Sequence, residues 1–196
     1  MKNKIILSTI IGMLCLAQQG IAADLPHSAD HDALRILRDK VEKSFNSGDM
    51  NELRTCLAKD FTFITSDQTV ITDMNGIVAY WDKMFKNKNS PLISMQSKLI
   101  AAISTKFTGP DTGYCHGTSQ DIYTLKNKRK IAINNKWSAV LINEEGVWKI
   151  SAAHIGVNFL DNPVLKAKEM SWFARLCVGL HLRNLPGEVK GTKLNE

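Results

Sequence analysis

Apolar residues recur at three- and four-residue intervals in the first half of the chain, which is the spacing of one helix face. In the first predicted helix they are Leu34, Leu37, Val41 and Phe45. This helix is expected to end at Gly48, since glycine accepts the left-handed cap conformation, and Asp49 then caps a second short helix. A third predicted helix begins at Thr72 or Asp73 and has the clearest apolar stripe: Ile77, Tyr80, Trp81, Met84 and Phe85.

Alternation of apolar and polar residues, the pattern of a half-buried strand, dominates the second half of the chain. One short strand, 61–65, precedes the third helix, and the other predicted strands are 93–107, 114–125, 131–142 and 147–157. Turn-forming residues separate them. Helices followed by long consecutive strands predict an α+β fold, in which a curved antiparallel sheet wraps around the N-terminal helices as a cone with an internal cavity.

The start of the chain has the composition of an export signal. Lys2 and Lys4 form a positive start, residues 5–17 are apolar, and small residues follow at 20–23. The apolar run is too short for an ordinary membrane-spanning helix. We therefore expect a signal peptide at 1–23, cleaved near Ala23, and a periplasmic or secreted protein.

The remaining chain divides into one domain, expected at about residues 30–160, and a C-terminal extension. Residues 163–183 are predicted to form an amphipathic helix, whose apolar stretch 170–182 is too short, and too interrupted by Arg175, to span a bilayer. We expect this helix to dock on the domain or on a second copy of the chain, in preference to weak contact with a membrane surface. Residues 184–196 are predicted to be a flexible polar tail.

Neither metal nor cofactor chemistry is indicated. The cysteines that follow the signal segment are Cys56, Cys115 and Cys177. Their spacings match no zinc site, and their pairing is left open. His27, Asp30 and His31 lie close together in the sequence, but a helix-capping role for Asp30 explains them more simply than a metal does. The chain has no nucleophile elbow, phosphate-binding loop or dinucleotide fingerprint, so no cofactor is expected.

The charge pattern does not indicate nucleic acid as a partner. The formal net charge is +6, and the densest basic run, 126–130, has no interleaved aromatic residues. This run is predicted to be the solvated tip of a hairpin. For an exported protein of this composition we expect no nucleic-acid binding.

The end of the predicted domain carries a motif. Gly146-Val147-Trp148-Lys149-Ile150 is followed by His154, and Gly117 and the Lys136-Trp137-Ser138 step precede it. In these features, and in the order of helices and strands, residues 30–160 resemble the nuclear transport factor 2-like superfamily, which includes SnoaL-like polyketide cyclases and ketosteroid isomerases. The resemblance implies the cone fold, which hosts enzymes, binding domains and assembly domains.

Five residues are the candidates for a site inside the cone. His154 has the strand parity of Trp148 and Ile150, so it is expected to face the cavity, as a ligand contact more than as a catalyst. Asp121 is the best candidate for a cavity carboxylate, although parity does not show which face of its strand points inward and an exposed Asp is commoner. Aromatic walls are expected from Tyr80, Trp81 and Trp137.

Three functional hypotheses follow. The favoured one is an exported, non-catalytic domain that binds a small apolar molecule or a partner and forms a homodimer through the outer sheet face. The second is a small cofactor-independent isomerase, cyclase or dehydratase, with His154 as general base and Asp121 or Tyr80 assisting. Two features argue against this enzyme. The family often has a polar residue where this chain has Ala152, and no equivalent of the isomerases' paired catalytic acid and oxyanion-hole tyrosine is evident. The third is a dimeric assembly module in which the cavity is incidental.

Overall fold

The computed structural model describes residues 27–157 and 162–189. Its helices are α1 (Ser28–Ser47), α2 (Met50–Cys56), α3 (Met74–Phe85), α4 (Pro163–Lys168) and α5 (Trp172–Gly179). Its strands are β1 (Leu57–Ile64), β2 (Val70–Ile71), β3 (Leu92–Ala101), β4 (Lys106–Gly109), β5 (Thr112–Leu125), β6 (Lys130–Glu144) and β7 (Val147–Val157). The predicted signal peptide 1–23 lies outside the described residues, as do 158–161 and the end of the chain from residue 190.

One seven-stranded sheet forms the body of the domain, with the order β2-β1-β7-β6-β5-β3 and with β4 paired to β5. β1 runs parallel to β7, and the other pairs are antiparallel. α1 contacts both β7 and the distant strand β3, so the sheet curves around this helix. The predicted α+β class, with a curved sheet wrapped around N-terminal helices, is confirmed.

Aspartates begin α2 and α3 as the sequence predicts. The Asp49 carboxylate accepts the backbone N–H groups of Asn51 and Glu52, at 2.9 and 3.1 Å. The Asp73 carboxylate accepts the N–H of Gly76 at 2.8 Å. Each cap satisfies N–H groups that have no partner within the helix, which stabilises it by about 1 kcal/mol. These caps fix where the helices enter the cone.

The core lies where α1 and α2 meet the inner face of the sheet. Leu53 and Cys56 of α2 are 1% and 0% exposed. Around them pack the buried side chains of α1, β1, β6 and β7: Leu34, Leu37, Val41, Phe61, Phe63, Leu141 and Trp148. Burial of each large apolar side chain stabilises the fold by about 1.5–3 kcal/mol, so the helices are firmly held on this part of the sheet.

The single long strand predicted at 93–107 is wrong, because it is two strands. β3 ends with the pair Ala101–Gly117, and β4 resumes with the pair Lys106–Tyr114. Four residues, 102–105, therefore lie opposite only two residues of β5, 115 and 116. The longer segment cannot pair along its whole length, so it forms an irregular connection between β3 and β4. This connection forms part of the cavity wall.

Side chains of α1 cover the free edge of β3. The Asn46 side chain accepts the backbone N–H of Ser97 at 2.6 Å and donates to its carbonyl at 3.0 Å. One helical turn earlier, Glu42 accepts the N–H of Leu99 at 2.8 Å. Asn46 and Glu42 are four residues apart on a helix, and Ser97 and Leu99 are two residues apart on a strand. Both separations correspond to about 6 Å, so the two side chains reach alternate residues of the β3 edge. The helix thus replaces a neighbouring strand and prevents edge-to-edge pairing.

The C-terminal extension differs from its prediction in two ways. The single helix predicted at 163–183 is two short helices. The second, α5, has its own N-cap, because the Ser171 hydroxyl accepts the N–H of Ala174 at 3.2 Å. The described part of the predicted tail also hydrogen-bonds to β6: Ala132 donates to the Gly187 carbonyl at 2.8 Å, and Val189 to the Lys130 carbonyl at 3.0 Å. None of the helices among the described residues is long and apolar enough to cross a membrane.

Arg129 holds this extension in place. Its guanidinium, 8% exposed, forms an ion pair with Glu188 at 2.5 Å. It also donates to the backbone carbonyls of Val178 and Arg183, at 2.8 and 3.0 Å. The prediction of a wholly solvated basic hairpin tip is therefore wrong for Arg129, since a buried guanidinium requires such partners.

Candidate functional site

The packing of α1, α2 and α3 on the sheet leaves two adjoining cavities. The larger chamber has a volume of about 410 Å³ and the smaller one about 90 Å³. The two cavities share part of their walls, which shows that they adjoin. The shared side chains are Phe45, Phe63, Leu99, Trp137 and Ile155. The large chamber falls in the size range of small-molecule sites, and the small one has room for a functional group or a few waters.

The larger chamber is mostly apolar, and α1 lines one side of it. Its other wall comes from inward-facing residues of β6 and β7, which are Ala139, Leu141, Ile150 and Ala153. Polar side chains lie on the α1 side, where Arg35 pairs with Asp32 and Arg38 pairs with Asp39 at 2.7 Å. Because these arginines already have acidic partners, the chamber itself favours an uncharged, apolar body of a ligand.

A group of hydrogen-bonded polar side chains lies in the smaller chamber. The carboxyl of Asp121 accepts from the Ser97 hydroxyl at 2.6 Å, the Asn135 amide at 2.6 Å and the Ser119 hydroxyl at 3.3 Å. All four residues are buried, with at most 5% of each exposed. They come from β3, β5 and β6, whose inward positions meet at this point because the pairs Ser97–Asp121 and Ser119–Asn135 are in register.

Burial acts on the carboxyl of this group and leaves one neighbouring acceptor unsatisfied. Burial raises the pKa of Asp121 above its ordinary value, although the three hydrogen bonds act in the opposite direction. Asn135 gives its amide to Asp121, and its carbonyl oxygen Oδ1 is buried with no hydrogen-bond partner. A buried acceptor without a partner costs about 1–3 kcal/mol, so the Asn135 oxygen is suited to receive a donor from a ligand.

Two tyrosines complete the polar side of the smaller chamber. Tyr123 follows Asp121 on the same face of β5, and Tyr80 projects from α3. Burial raises the pKa of Tyr80, and burial together with the nearby Asp121 raises the pKa of Tyr123. Both phenols therefore remain protonated at neutral pH, Tyr123 close to the Asp121 carboxyl and Tyr80 beside Thr65 and Asp67.

Of the predicted site residues, four lie on the cavity. Asp121, Tyr80 and Trp81 line the smaller chamber, and Trp137 lines both. Trp137 is fixed there because its indole N–H donates to the Thr118 carbonyl at 2.9 Å. Asp121 therefore occupies the inward face of its strand, and the expectation that an exposed position is commoner does not apply to it.

The prediction that His154 faces the cavity is wrong. β7 pairs Ile150 with Leu141 but Ala152 with Val140, so Ser151 is an extra residue that bulges from the ladder. Alternation reverses at this bulge. Ala153 and Ile155 consequently line the chamber, while His154 is exposed on the outer face of the sheet.

Several residues of the site were missed by sequence reasoning: Ser97, Ser119, Tyr123 and Asn135. A signal for Asn135 was available, since it has the strand parity of Trp137, Ala139 and Leu141, which are apolar and face inward. A polar residue at an inward position requires a partner, and that partner is Asp121. The pairing itself depended on strand register, which the sequence did not provide.

The group at the start of α1 has a structural role, but the predicted helix-capping role of Asp30 is wrong, because α1 begins at Ser28 with the N-cap at His27 and no side chain caps it. Asp30 accepts the indole N–H of Trp148 at 2.9 Å and is 2.8 Å from the His27 ring nitrogen. These contacts lower the pKa of Asp30 and attach the first helical turn to β7. Phe107 stacks on His27, with 4.2 Å between ring centroids. Within residues 27–157 and 162–189, no three His, Cys, Asp or Glu side chains are arranged to hold a metal ion.

Comparison with known proteins places the chain in a family. Residues 37–158 match the model of the SnoaL-like domain, so the protein belongs to the SnoaL-like domain family within the nuclear transport factor 2-like superfamily. No curated protein matches the sequence. The predicted family resemblance is therefore confirmed over most of the domain.

Solved structures share the fold at low sequence identity. A hexachlorocyclohexane dehydrochlorinase of the LinA type from Novosphingobium barchaimii superposes with a TM-score of 0.59 at 14% identity, over 70% of this chain and 92% of that one. A nuclear transport factor 2-like protein of unknown function from Shewanella oneidensis gives 0.51 at 16% identity, over 65% and 98%. A protein with a cystatin-like fold from Caulobacter vibrioides gives 0.52 at 16% identity, over 69% and 96%. Since enzymes and proteins of unknown function share this fold, the likeness shows the fold alone.

Proposed function

We propose that the protein binds a small, largely apolar molecule inside the cone, with one polar group of that molecule held between Asn135 and Asp121. The observation that carries the proposal is the buried Oδ1 of Asn135, which has no partner at the wall of an apolar cavity. The larger chamber takes the apolar body of the ligand, and the smaller chamber takes its polar group.

The polar group of the ligand is expected to be a hydroxyl or an N–H. Such a group donates to the Asn135 oxygen, which the protein leaves unsatisfied. The neighbouring Asp121 is kept neutral over a wider pH range than an ordinary carboxyl, so it can hydrogen-bond a ligand without adding a buried charge. A charged ligand group is disfavoured at this depth for the same reason.

A matched pair of alanines on β7 tests this proposal. Ala153 lines the larger chamber, and its neighbour Ala152 is on the opposite face of the strand, beyond the Ser151 bulge. Ala153→Phe is expected to fill part of the chamber and to weaken binding of the fluorescent apolar probe aminoanthracene at least about tenfold. Ala152→Phe adds the same volume outside the cone and should leave the probe affinity unchanged.

The outcome is measured by fluorescence titration, with circular dichroism as the check on folding. Equal probe affinities for the two variants and the unmodified chain would place the binding site outside the cone and overturn the proposal. The absence of any probe binding by the unmodified chain would overturn it as well.

A second candidate function is proton transfer on the bound molecule, and the raised pKa of Asp121 favours it. The pair of His154 and Asp121 is not available for it, because His154 lies on the outer face. Asp121 would then act as the acid or base, with Tyr80 or Tyr123 stabilising developing charge. The test is deuterium incorporation into a cyclic ketone in heavy water, followed by NMR. Asp121→Asn should abolish incorporation, and circular dichroism should show that the variant is folded.

Self-association and export stand as further parts of the proposal. Tyr114 and Val140 pair across β5 and β6 on the outer face and are 42% and 45% exposed, which suits an interface between two copies. Analytical ultracentrifugation of Val140→Lys against the unmodified chain tests this, with a shift to monomer expected.

N-terminal sequencing of the exported protein tests cleavage before Asp24.

A further inference from the structure

α5 has apolar side chains on two opposite sides. Ala174 and Val178, both 8% exposed, pack on the domain. At about 100° per residue, the remaining large apolar residues fall within one arc on the opposite side. They are Trp172, Phe173, Leu176 and Leu180, which are between 48% and 76% exposed. The small side chains of this helix are used for packing, and the large ones are presented to the solvent.

The orientation of this face is fixed by the domain. Arg129 of the β5–β6 hairpin donates to the Val178 carbonyl at 2.8 Å and to the Arg183 carbonyl at 3.0 Å. The following segment adds backbone hydrogen bonds to β6. The apolar face is therefore held outward by a buried guanidinium, and the Trp172 and Phe173 rings form an edge-to-face pair on the surface, with centroids 5.9 Å apart.

Basic residues flank this helix in the sequence. Lys168 precedes α5, Arg175 lies at its side, and Arg183 follows it, while Glu169 is the one acidic residue between positions 166 and 183. Arg175 donates to the Lys168 carbonyl at 2.5 Å, which places its charge next to the start of the helix. An exposed apolar stripe with a tryptophan and flanking cations is the composition of helices that lie in the surface of an anionic bilayer.

We propose that α5 docks the protein on an anionic membrane surface, with Trp172, Phe173, Leu176 and Leu180 inserted between the headgroups. The charge around the face selects this occupant over a second copy of the chain, which would bring the same cations into contact with each other. The helix lies in the plane of the surface and does not cross it, in agreement with its eight residues.

Vesicle binding of the chain from Asp24 onward tests this inference. Co-sedimentation with phosphatidylglycerol vesicles is expected, with binding to phosphatidylcholine vesicles weaker by about tenfold or more and with loss of the difference at high salt. The double variant W172S/F173S should lower binding to phosphatidylglycerol by about tenfold or more, because two large side chains no longer insert. The matched control V70S/V147S removes two side chains that are 61% and 54% exposed elsewhere and should bind like the unmodified chain.

Brominated lipids provide a measurement that does not depend on the double variant. They should quench the tryptophan fluorescence of the bound protein, and Trp172→Phe should remove most of this quenching while vesicle binding persists. Equal binding to both lipids, or equal loss of binding in the variant and its control, would overturn the inference. So would absence of vesicle binding together with a dimer that W172S/F173S converts to a monomer, since a second copy would then cover the face.

Discussion

Asn135 donates its side-chain amide to Asp121 at 2.6 Å while its own carbonyl oxygen is buried without a partner. The two residues lie on neighbouring strands and line the smaller chamber, which adjoins the larger apolar one. An apolar pair of similar size would be easier to bury, so this pair carries a cost in stability. The site is therefore best understood as a place where stability is given up for a group that recognises a ligand.

The pH dependence of stability tests the burial of Asp121. Its folded pKa is raised, so above the unfolded value of about 3.9 the unfolded chain releases a proton that the folded chain keeps. The free energy of unfolding should consequently fall as pH rises from about 4 toward the folded pKa of Asp121. Asp121→Asn has no proton to lose there, and its unfolding free energy should fall less over this range in urea titrations.

The control for this measurement is Asp111→Asn in the exposed turn between β4 and β5. This variant makes the same chemical change outside the cavity and should retain the pH dependence of the unmodified chain. Identical pH profiles for Asp121→Asn and Asp111→Asn would show that Asp121 is not responsible for the effect.

Gly117 is required because Trp137 packs directly over it. A Cβ at this position would lie 2.0 Å from the Ile100 carbonyl oxygen and 2.5 Å from the Trp137 ring. Gly117→Ala should destabilise the protein by about 1–3 kcal/mol through overpacking and should displace the shared wall of both chambers. At Gly156 the nearest contact of a Cβ is the Lys136 carbonyl at 3.8 Å, so Gly156→Ala is the control. Thermal unfolding distinguishes them, and equal midpoints would contradict the close packing.

The covered edge of β3 predicts a further stability difference. Asn46→Ala removes both hydrogen bonds to the Ser97 backbone and should lower the free energy of unfolding by about 1–2 kcal/mol. Hydrogen exchange at the amides of Ser97 and Leu99 should become faster, because the edge opens to solvent. Glu42→Gln keeps an acceptor for Leu99 and should change exchange little. Unchanged protection in Asn46→Ala would mean that α1 does not cover this edge.

Arg129 is expected to control the attachment of the C-terminal helices. Arg129→Ala removes the ion pair with the half-buried Glu188 and frees the carbonyls of Val178 and Arg183. Limited proteolysis should then cut between α4 and α5 at least about tenfold faster, because local opening becomes easier. Lys126→Ala changes the same hairpin but removes a contact to Lys88 and not to the extension. Equal cleavage rates in the two variants would contradict this role.

Periodicity predicted α1, α2, α3 and the cone, and the residue types predicted caps at Asp49 and at Thr72 or Asp73. It also placed Trp137 correctly, since β6 keeps its alternation around this residue. It failed at His154, because a single extra residue at Ser151 reverses the alternation and leaves no mark in the residue types around it. The grouping of Ser97, Asp121 and Asn135 depends on the register of three strands, which only the folded chain defines.

The most direct test of the central claim compares two ligands that differ in a single hydroxyl. Naphthalene and naphthol offer the same apolar body to the larger chamber, and only naphthol can donate to the Asn135 oxygen. Calorimetric titration should show both ligands binding to the unmodified chain, with naphthol tighter by about tenfold, the value of one hydrogen bond to an otherwise unsatisfied acceptor. Equal affinities, or no binding of either compound, would contradict the claim that the cone holds a small apolar molecule by one polar group.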